Sequence, residues 1–89
     1  MLDTEARTLA YLAKYPQNTI RQCAMALNLT ERTVIPTVRA LRRHRYLTVH
    51  RVGRRNEYTV NRDAVINLDG RQVPVGRFLN LMGIRKPKA

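Results

Sequence analysis

Residues 19–46, TIRQCAMALNLTERTVIPTVRALRRHRY, contain two helix patterns and the turn between them. Thr19 begins the first helix, and Gln22, three residues later, completes a capping-box pattern. Asn28 tolerates the left-handed conformation and therefore suits a tight turn. Thr30 is a good N-cap for the second helix. The spacing predicts two helices joined by a tight turn.

A further helix precedes this stretch, and a hairpin follows it. Apolar residues recur every three or four positions in residues 3–15 and predict a helix that Pro16 ends. Apolar and polar residues alternate over residues 47–60, and the glycine-containing segment 52–56, VGRRN, predicts a hairpin tip. Three helices and then a hairpin predict a mainly α, α+β fold of winged helix-turn-helix architecture.

The C-terminal third is predicted to add a turn and a short helix. Residues 67–71, NLDGR, contain an Asp-Gly turn signal, and Pro74 suits the first turn of a helix that Gly83 ends. We expect three parts: a winged helix-turn-helix domain over residues 1–62, a C-terminal extension over 63–84 and a frayed basic tail over 85–89.

The apolar face of this short helix needs cover, because a helix of this length is not stable alone. The cover can come from its own subunit or from a second copy, and we expect a homodimer. The expected dimerisation residues are Val75, Phe78, Leu79 and Met82.

The charge of the chain is large and unevenly placed. Lys plus Arg number 17 against 6 Asp plus Glu, which gives a net charge of +11. Residues 1–18 are neutral, whereas residues 19–45 carry six arginines and one glutamate. Arginine matches phosphate oxygens and guanine edges with a planar fork that lysine lacks. The composition therefore predicts a nucleic-acid partner.

At about 100° per residue, the helix that follows Thr30 has two opposite faces. Its predicted buried stripe consists of Val34, Val38 and Leu41. The face opposite consists of Arg32, Pro36, Arg39 and Arg43. Solvated faces usually mix charge signs, and this one has no acid after Glu31, so we expect it to lie in the major groove of double-stranded DNA. Arg39, at its centre, is expected to contact a base edge.

Pro36 interrupts the hydrogen bonding of this helix and is expected to kink or tighten it. Its ring can pack against a thymine methyl group or set the curvature of the helix, and the sequence leaves both roles open. The hairpin tip can lie along the phosphate backbone or insert an arginine into a narrow minor groove. The expected DNA-binding residues are Thr30, Arg32, Thr33, Pro36, Arg39, Arg43, Arg51, Arg54, Arg55 and Asn56.

Several of these stretches resemble the MarR-like winged-helix transcriptional regulators, especially their short, single-domain prokaryotic members. The likeness is carried by residues 19–24 (TIRQCA), 29–34 (LTERTV), 46–48 (YLT), 51–60 (RVGRRNEYTV) and 75–79 (VGRFL). It implies a sequence-specific regulator that places one helix in the major groove. The chain departs from the family pattern at Pro36 and at Arg42, Arg43 and Arg45, and these arginines add basic charge.

Other kinds of site have weaker support. Cys23 lies on the inward face of its helix and is expected to be a core residue rather than a redox sensor. His44 and His50 lack a surrounding cluster of metal ligands. No nucleophile–base pattern or phosphate loop is present, so neither an enzyme nor a cofactor is expected. A small-molecule effector would need a pocket between subunits, and the sequence specifies none.

The sequence predicts a cytoplasmic, nucleoid-associated protein, because it contains no secretory signal and no apolar run of about 20 residues. Two other functions stay open. One is a winged helix used for protein contacts in a replication or partition complex. The other is a sequence-neutral architectural or RNA-binding protein. The line of arginines favours sequence-specific regulation over the first of these.

Overall fold

The computed structural model describes residues 3–85, which form four helices and two separate antiparallel hairpins. In chain order the elements are α1 (Asp3–Lys14), α2 (Ile20–Leu27), α3 (Glu31–Arg43), β1 (Leu47–Val52), β2 (Arg55–Val60), β3 (Val65–Leu68), β4 (Arg71–Pro74) and α4 (Val75–Leu81). The predicted α+β class is confirmed. Within the described range, no helix has the length and apolar character needed to cross a membrane. The predicted basic tail lies outside this range beyond Arg85.

Local hydrogen bonds fix the ends of α2 and α3. Thr19 Oγ1 accepts the Gln22 backbone N–H at 3.1 Å, and the Gln22 side chain accepts the Thr19 N–H at 2.8 Å. Asn28 ends α2 in the left-handed conformation, with φ 57°. Thr30 caps α3 by accepting the Thr33 N–H at 3.1 Å. The predicted capping box, turn and N-cap are therefore all confirmed.

The core is built mainly from aliphatic side chains of all four helices and both hairpins. Its buried apolar residues are Leu9, Ala10, Leu12, Ala13, Cys23, Ala24, Val34, Val38, Leu41, Leu47, Tyr58, Ile66, Val75 and Leu79. Burying one leucine or valine stabilises a fold by about 1.5–3 kcal/mol. The predicted stripe of α3 belongs to this core, so the opposite face of α3 points to solvent.

The first hairpin, β1–β2, projects from the core. Its strands pair from Leu47 with Val60 to Val52 with Arg55. Gly53, the first of the two turn residues, has φ 61°, as a type II′ turn requires. Leu47 and Tyr58 anchor the base of the hairpin, whereas every residue from 50 to 56 is exposed.

The second hairpin, β3–β4, was not predicted beyond its turn. Asp69 and Gly70 have φ values of 50° and 79°, the pair of positive values that a type I′ turn requires. The side chain of Ile66 is only 1% exposed, and the Tyr46 hydroxyl donates a hydrogen bond to the Val65 carbonyl at 3.2 Å. This hairpin therefore packs on the core instead of projecting from it.

α4 follows β4 directly and folds back on its own subunit. Val75 and Leu79 have no exposed surface, Phe78 is half-buried and Met82 is exposed. The expectation that all four form a dimer stripe is corrected for Val75 and Leu79, which are not accessible to a second copy. Sequence alone could not decide this, because either arrangement covers the apolar face.

The C-terminal segment shares its core with the preceding residues. Ile66, Val75 and Leu79 belong to the same buried cluster as Leu9 and Leu41. The backbone adds to this connection, since the Gly76 N–H donates to the Arg62 carbonyl at 2.9 Å. The division expected between residues 62 and 63 therefore does not coincide with a division of the core.

Candidate nucleic-acid interface

α3 presents a basic face to solvent. Arg32, Arg39 and Arg43 are exposed, and none of them has a hydrogen bond or ion pair with another described residue. The single acid of the helix, Glu31, lies in its first turn, where a carboxylate complements the helix dipole. Free guanidinium groups on one face of a helix are available to an anionic partner.

Pro36 lies among these arginines and is exposed. It has no N–H to donate to the carbonyl of Arg32, yet α3 continues without interruption to Arg43. The Thr37 hydroxyl donates to the Thr33 carbonyl at 2.8 Å in the same turn. The contact with a thymine methyl group stays a prediction.

Thr30 and Thr33 hold the start of α3. Their hydroxyl oxygens lie 3.0 Å apart, and Thr30 Oγ1 also accepts the Thr33 N–H. Both side chains are exposed, and a hydroxyl has two lone pairs, so the capping role leaves room for a further polar contact. Their contact with DNA stays a prediction, whereas their structural role is visible.

The four predicted residues at the hairpin tip fall into two pairs. Arg54 and Arg55 are exposed and have no described partner. Arg51 instead spans the tip: its Nε donates to the Gly53 carbonyl at 3.3 Å, and its Nη1 donates to Asn56 Oδ1 at 3.4 Å. Arg51 and Asn56 therefore form hydrogen bonds within the tip, whereas the charges of Arg54 and Arg55 are available to a ligand.

A trough, which we call the α3–hairpin trough, runs between α3 and the first hairpin. One part has a volume of about 160 Å³ and is lined by Ile20, Ile35, Val38, Arg39, Arg42, Val49, Asn56 and Tyr58. The other part has a volume of about 550 Å³ and is lined by Arg39, Arg42, Arg43, Leu47, Thr48 and Val49. Because Arg39, Arg42 and Val49 line both parts, the two are adjacent.

Arg42 is the functional candidate that the sequence-based set omits. At about 100° per residue, Arg42 and Ile35 lie on the flank of α3 between the buried stripe and the outward face. Nothing in the helix pattern shows that β1 and β2 lie beside this flank. The signal that could have found Arg42 is its spacing of three from Arg39, which places both on one side of the helix.

A second concavity borders α1 and the residues after α4. It is an apolar groove of about 270 Å³, lined by Arg7, Ala10, Tyr11, Lys14, Tyr15, Leu27, Met82 and Ile84. Met82, one of the predicted dimerisation residues, therefore faces a groove of its own subunit. Arg7 and Lys14 also line the groove, so two copies meeting there would bring like charges together.

The remaining candidate chemistry is structural. Cys23 has no exposed surface, and burial raises the pKa of its thiol to about 11. The thiol is therefore neutral at pH 7, and the predicted core position of Cys23 is confirmed. Over residues 3–85, no three His, Cys, Asp or Glu side chains are grouped so as to hold a metal ion.

Comparison of the chain with protein-family models, with curated proteins and with solved structures found no match. The resemblance to MarR-like regulators thus stays a prediction based on the quoted residues. α3 and the first hairpin, by their geometry and charge, are the features that bear on function.

Proposed function

We propose that this chain is a transcriptional regulator that binds double-stranded DNA through a winged helix-turn-helix. In this proposal α2 and α3 form the helix-turn-helix, α3 is the recognition helix and β1–β2 is the wing. The observation that carries the proposal is the line of exposed arginines on α3, Arg32, Arg39 and Arg43, which have no partner within residues 3–85 and lie beside a second basic element.

The dimensions and charge of α3 suit a major groove. An α-helix with its side chains is about 10–12 Å wide, and the major groove of B-DNA is about 12 Å wide. Duplex DNA supplies one negative charge per roughly 1.7 Å of its axis, which is the counter-charge that the arginines of α3 lack within the described chain.

The orientation of α3 suggests a division of tasks. In helix-turn-helix proteins the N-terminal residues of the recognition helix contact base edges. Arg32, Thr33 and Pro36 occupy that part of α3. An arginine there can bind the O6 and N7 atoms of guanine with two hydrogen bonds. Arg54 and Arg55 lie on the other element, at the hairpin tip, where contacts with phosphate or the minor groove are expected.

Selection of binding sites from a random duplex library tests the proposal. We expect an enriched motif, bound at least about 10³-fold more tightly than random duplex. Tight binding to all duplexes without enrichment contradicts sequence-specific regulation and indicates an architectural protein. Preference for RNA indicates an RNA-binding protein, and failure to bind either nucleic acid indicates a protein-contact module.

A homodimer stays part of the proposal as a prediction. A symmetric dimer would space two recognition helices by about 34–36 Å and select a palindromic site. Sedimentation of the full chain, free and on a selected duplex, measures this directly. A monomer in both states, together with a selected motif that has no symmetry, contradicts the dimer and leaves DNA binding intact.

A further inference from the structure

We infer that the α3–hairpin trough binds consecutive backbone phosphates of one DNA strand, with Arg39 and Arg42 as the phosphate ligands. The inference depends on the proposed function. It assigns the trough to the sugar–phosphate backbone, and it moves Arg39 from the base-reading set to the backbone-binding set.

The trough lies between the two elements that are proposed to contact DNA. A helix in the major groove and a hairpin at the neighbouring backbone or minor groove lie on either side of a phosphate strand, because that strand separates the two grooves. The space available to it is the trough between α3 and β1–β2. Arg39 and Arg42 line both parts of this trough, so a strand lying in either part would meet them.

The side chains that line the trough suit a sugar–phosphate backbone. The guanidinium groups of Arg39 and Arg42 have no partner among the described residues, and neither part of the trough is lined by an acidic side chain. Arginine binds phosphate with two parallel N–H donors. Asn56 adds a carboxamide at one end of the trough, and Ile35 and Val49 provide apolar surface against which a deoxyribose can pack.

The dimensions of the trough suit an extended strand. Both parts are open to solvent, and the smaller part, of about 160 Å³, has room for a single phosphate with part of its sugar. The larger, more open part continues toward Arg43 and Thr48, as the path of a strand requires.

The positions of the other arginines sharpen the assignment. Arg32 and Pro36 line neither part of the trough and are exposed on the outward face. Base reading is thereby assigned to the N-terminal half of that face, and backbone binding to the flank beside the hairpin. Arg39 is the residue on which this assignment and the sequence-based expectation disagree.

The test compares Arg39→Ala combined with Arg42→Ala against a control with the same charge change, Arg71→Ala combined with Arg77→Ala. Arg71 and Arg77 are exposed on β4 and α4 and line neither part of the trough. Affinity for a selected and a random duplex is measured over a range of salt concentrations. We expect the trough variant to weaken both complexes by the same factor and to flatten the slope of log affinity against log salt by about 1.8, which is about 0.9 per lost phosphate contact. The control variant is expected to keep the wild-type slope.

A second measurement leaves the protein unchanged. Neutral methylphosphonate linkages are placed at one position of the selected duplex at a time. We expect two adjacent positions at which the substitution weakens binding of the wild-type chain but not of the trough variant. Thermal unfolding of each variant verifies that the fold is retained.

Three results are decisive. Loss of preference at one base pair in the Arg39→Ala chain, with an unchanged salt slope, overturns the inference and restores Arg39 as a base reader. A trough variant with the wild-type salt slope and affinity also overturns the inference. In that case the proposed function still stands, because the wild-type chain binds DNA. If the wild-type chain does not bind duplex DNA, the proposed function fails first, and the inference fails with it.

Discussion

The two hairpins differ in how far they are buried in the core. Both have two-residue turns with a glycine in the left-handed region, Gly53 in the first and Gly70 in the second. The first hairpin exposes all of residues 50–56, which include three arginines. The second hairpin has one acid and one arginine around its turn, and its Ile66 is only 1% exposed.

This difference separates binding from stability. The distal half of the first hairpin has no buried side chain, so its sequence can serve a ligand without weakening the core. The second hairpin leads directly into α4, whose Val75 and Leu79 are fully buried. We therefore expect substitutions in the two regions to affect different measurements.

The largest effect on stability is expected from Leu79→Ala. Removing a fully buried leucine side chain leaves a cavity and lowers the free energy of unfolding by about 2–5 kcal/mol. The matched control is Leu81→Ala, because Leu81 is 81% exposed on the same helix and its replacement should change stability by less than about 0.5 kcal/mol. Urea unfolding measures both. Equal, small changes would show that α4 does not cover the core.

A smaller effect, on binding alone, is expected from Arg54→Ala combined with Arg55→Ala. Both side chains are exposed and have no partner in the part of the chain that the structure describes, so stability should not change. Affinity should fall for every duplex, with a salt slope flatter by about 0.9 for each lost phosphate contact. Arg71→Ala, next to the turn of the second hairpin, serves as the control and should leave the slope unchanged. If the double variant keeps the wild-type slope, the tip does not contact the backbone.

The smallest effect is expected from Arg51→Ala. Its loss removes the hydrogen bonds to Gly53 and Asn56 that hold the tip, so amide hydrogen exchange at the tip should accelerate. Global stability should stay the same, and DNA affinity should fall less than in the Arg54 and Arg55 double variant. His50→Ala, on the same exposed strand, is the control. Unchanged exchange at the tip would contradict the positioning role of Arg51.

Local signals predicted the helical part of the fold well. The capping box of Thr19 and Gln22, the left-handed Asn28 and the Thr30 cap depend on contacts within four residues, so the sequence contains them completely. The hairpin tip around Gly53 was predictable for the same reason.

Features that depend on distant contacts were not predictable. β3 has only four residues, and its attachment to the core depends on the burial of Ile66 and on a hydrogen bond from the hydroxyl of Tyr46. The apolar face of α4 showed that Val75 and Leu79 need cover but not which subunit supplies it. Arg42 becomes a candidate only when β1 is seen beside α3. In each case, tertiary packing adds the missing information.

In the proposed complex, the N-terminal half of the outward face of α3 reads base sequence, while the first hairpin binds the backbone. The most direct test is the ratio of affinities for a selected and a random duplex, measured for Arg32→Ala and for the Arg54 and Arg55 double variant. We expect Arg32→Ala to lower this ratio by about 5- to 140-fold, equivalent to about 1–3 kcal/mol. The hairpin variant should retain the wild-type ratio. An unchanged ratio for Arg32→Ala, or a ratio that falls toward one for the hairpin variant, would contradict this division between base reading and backbone binding.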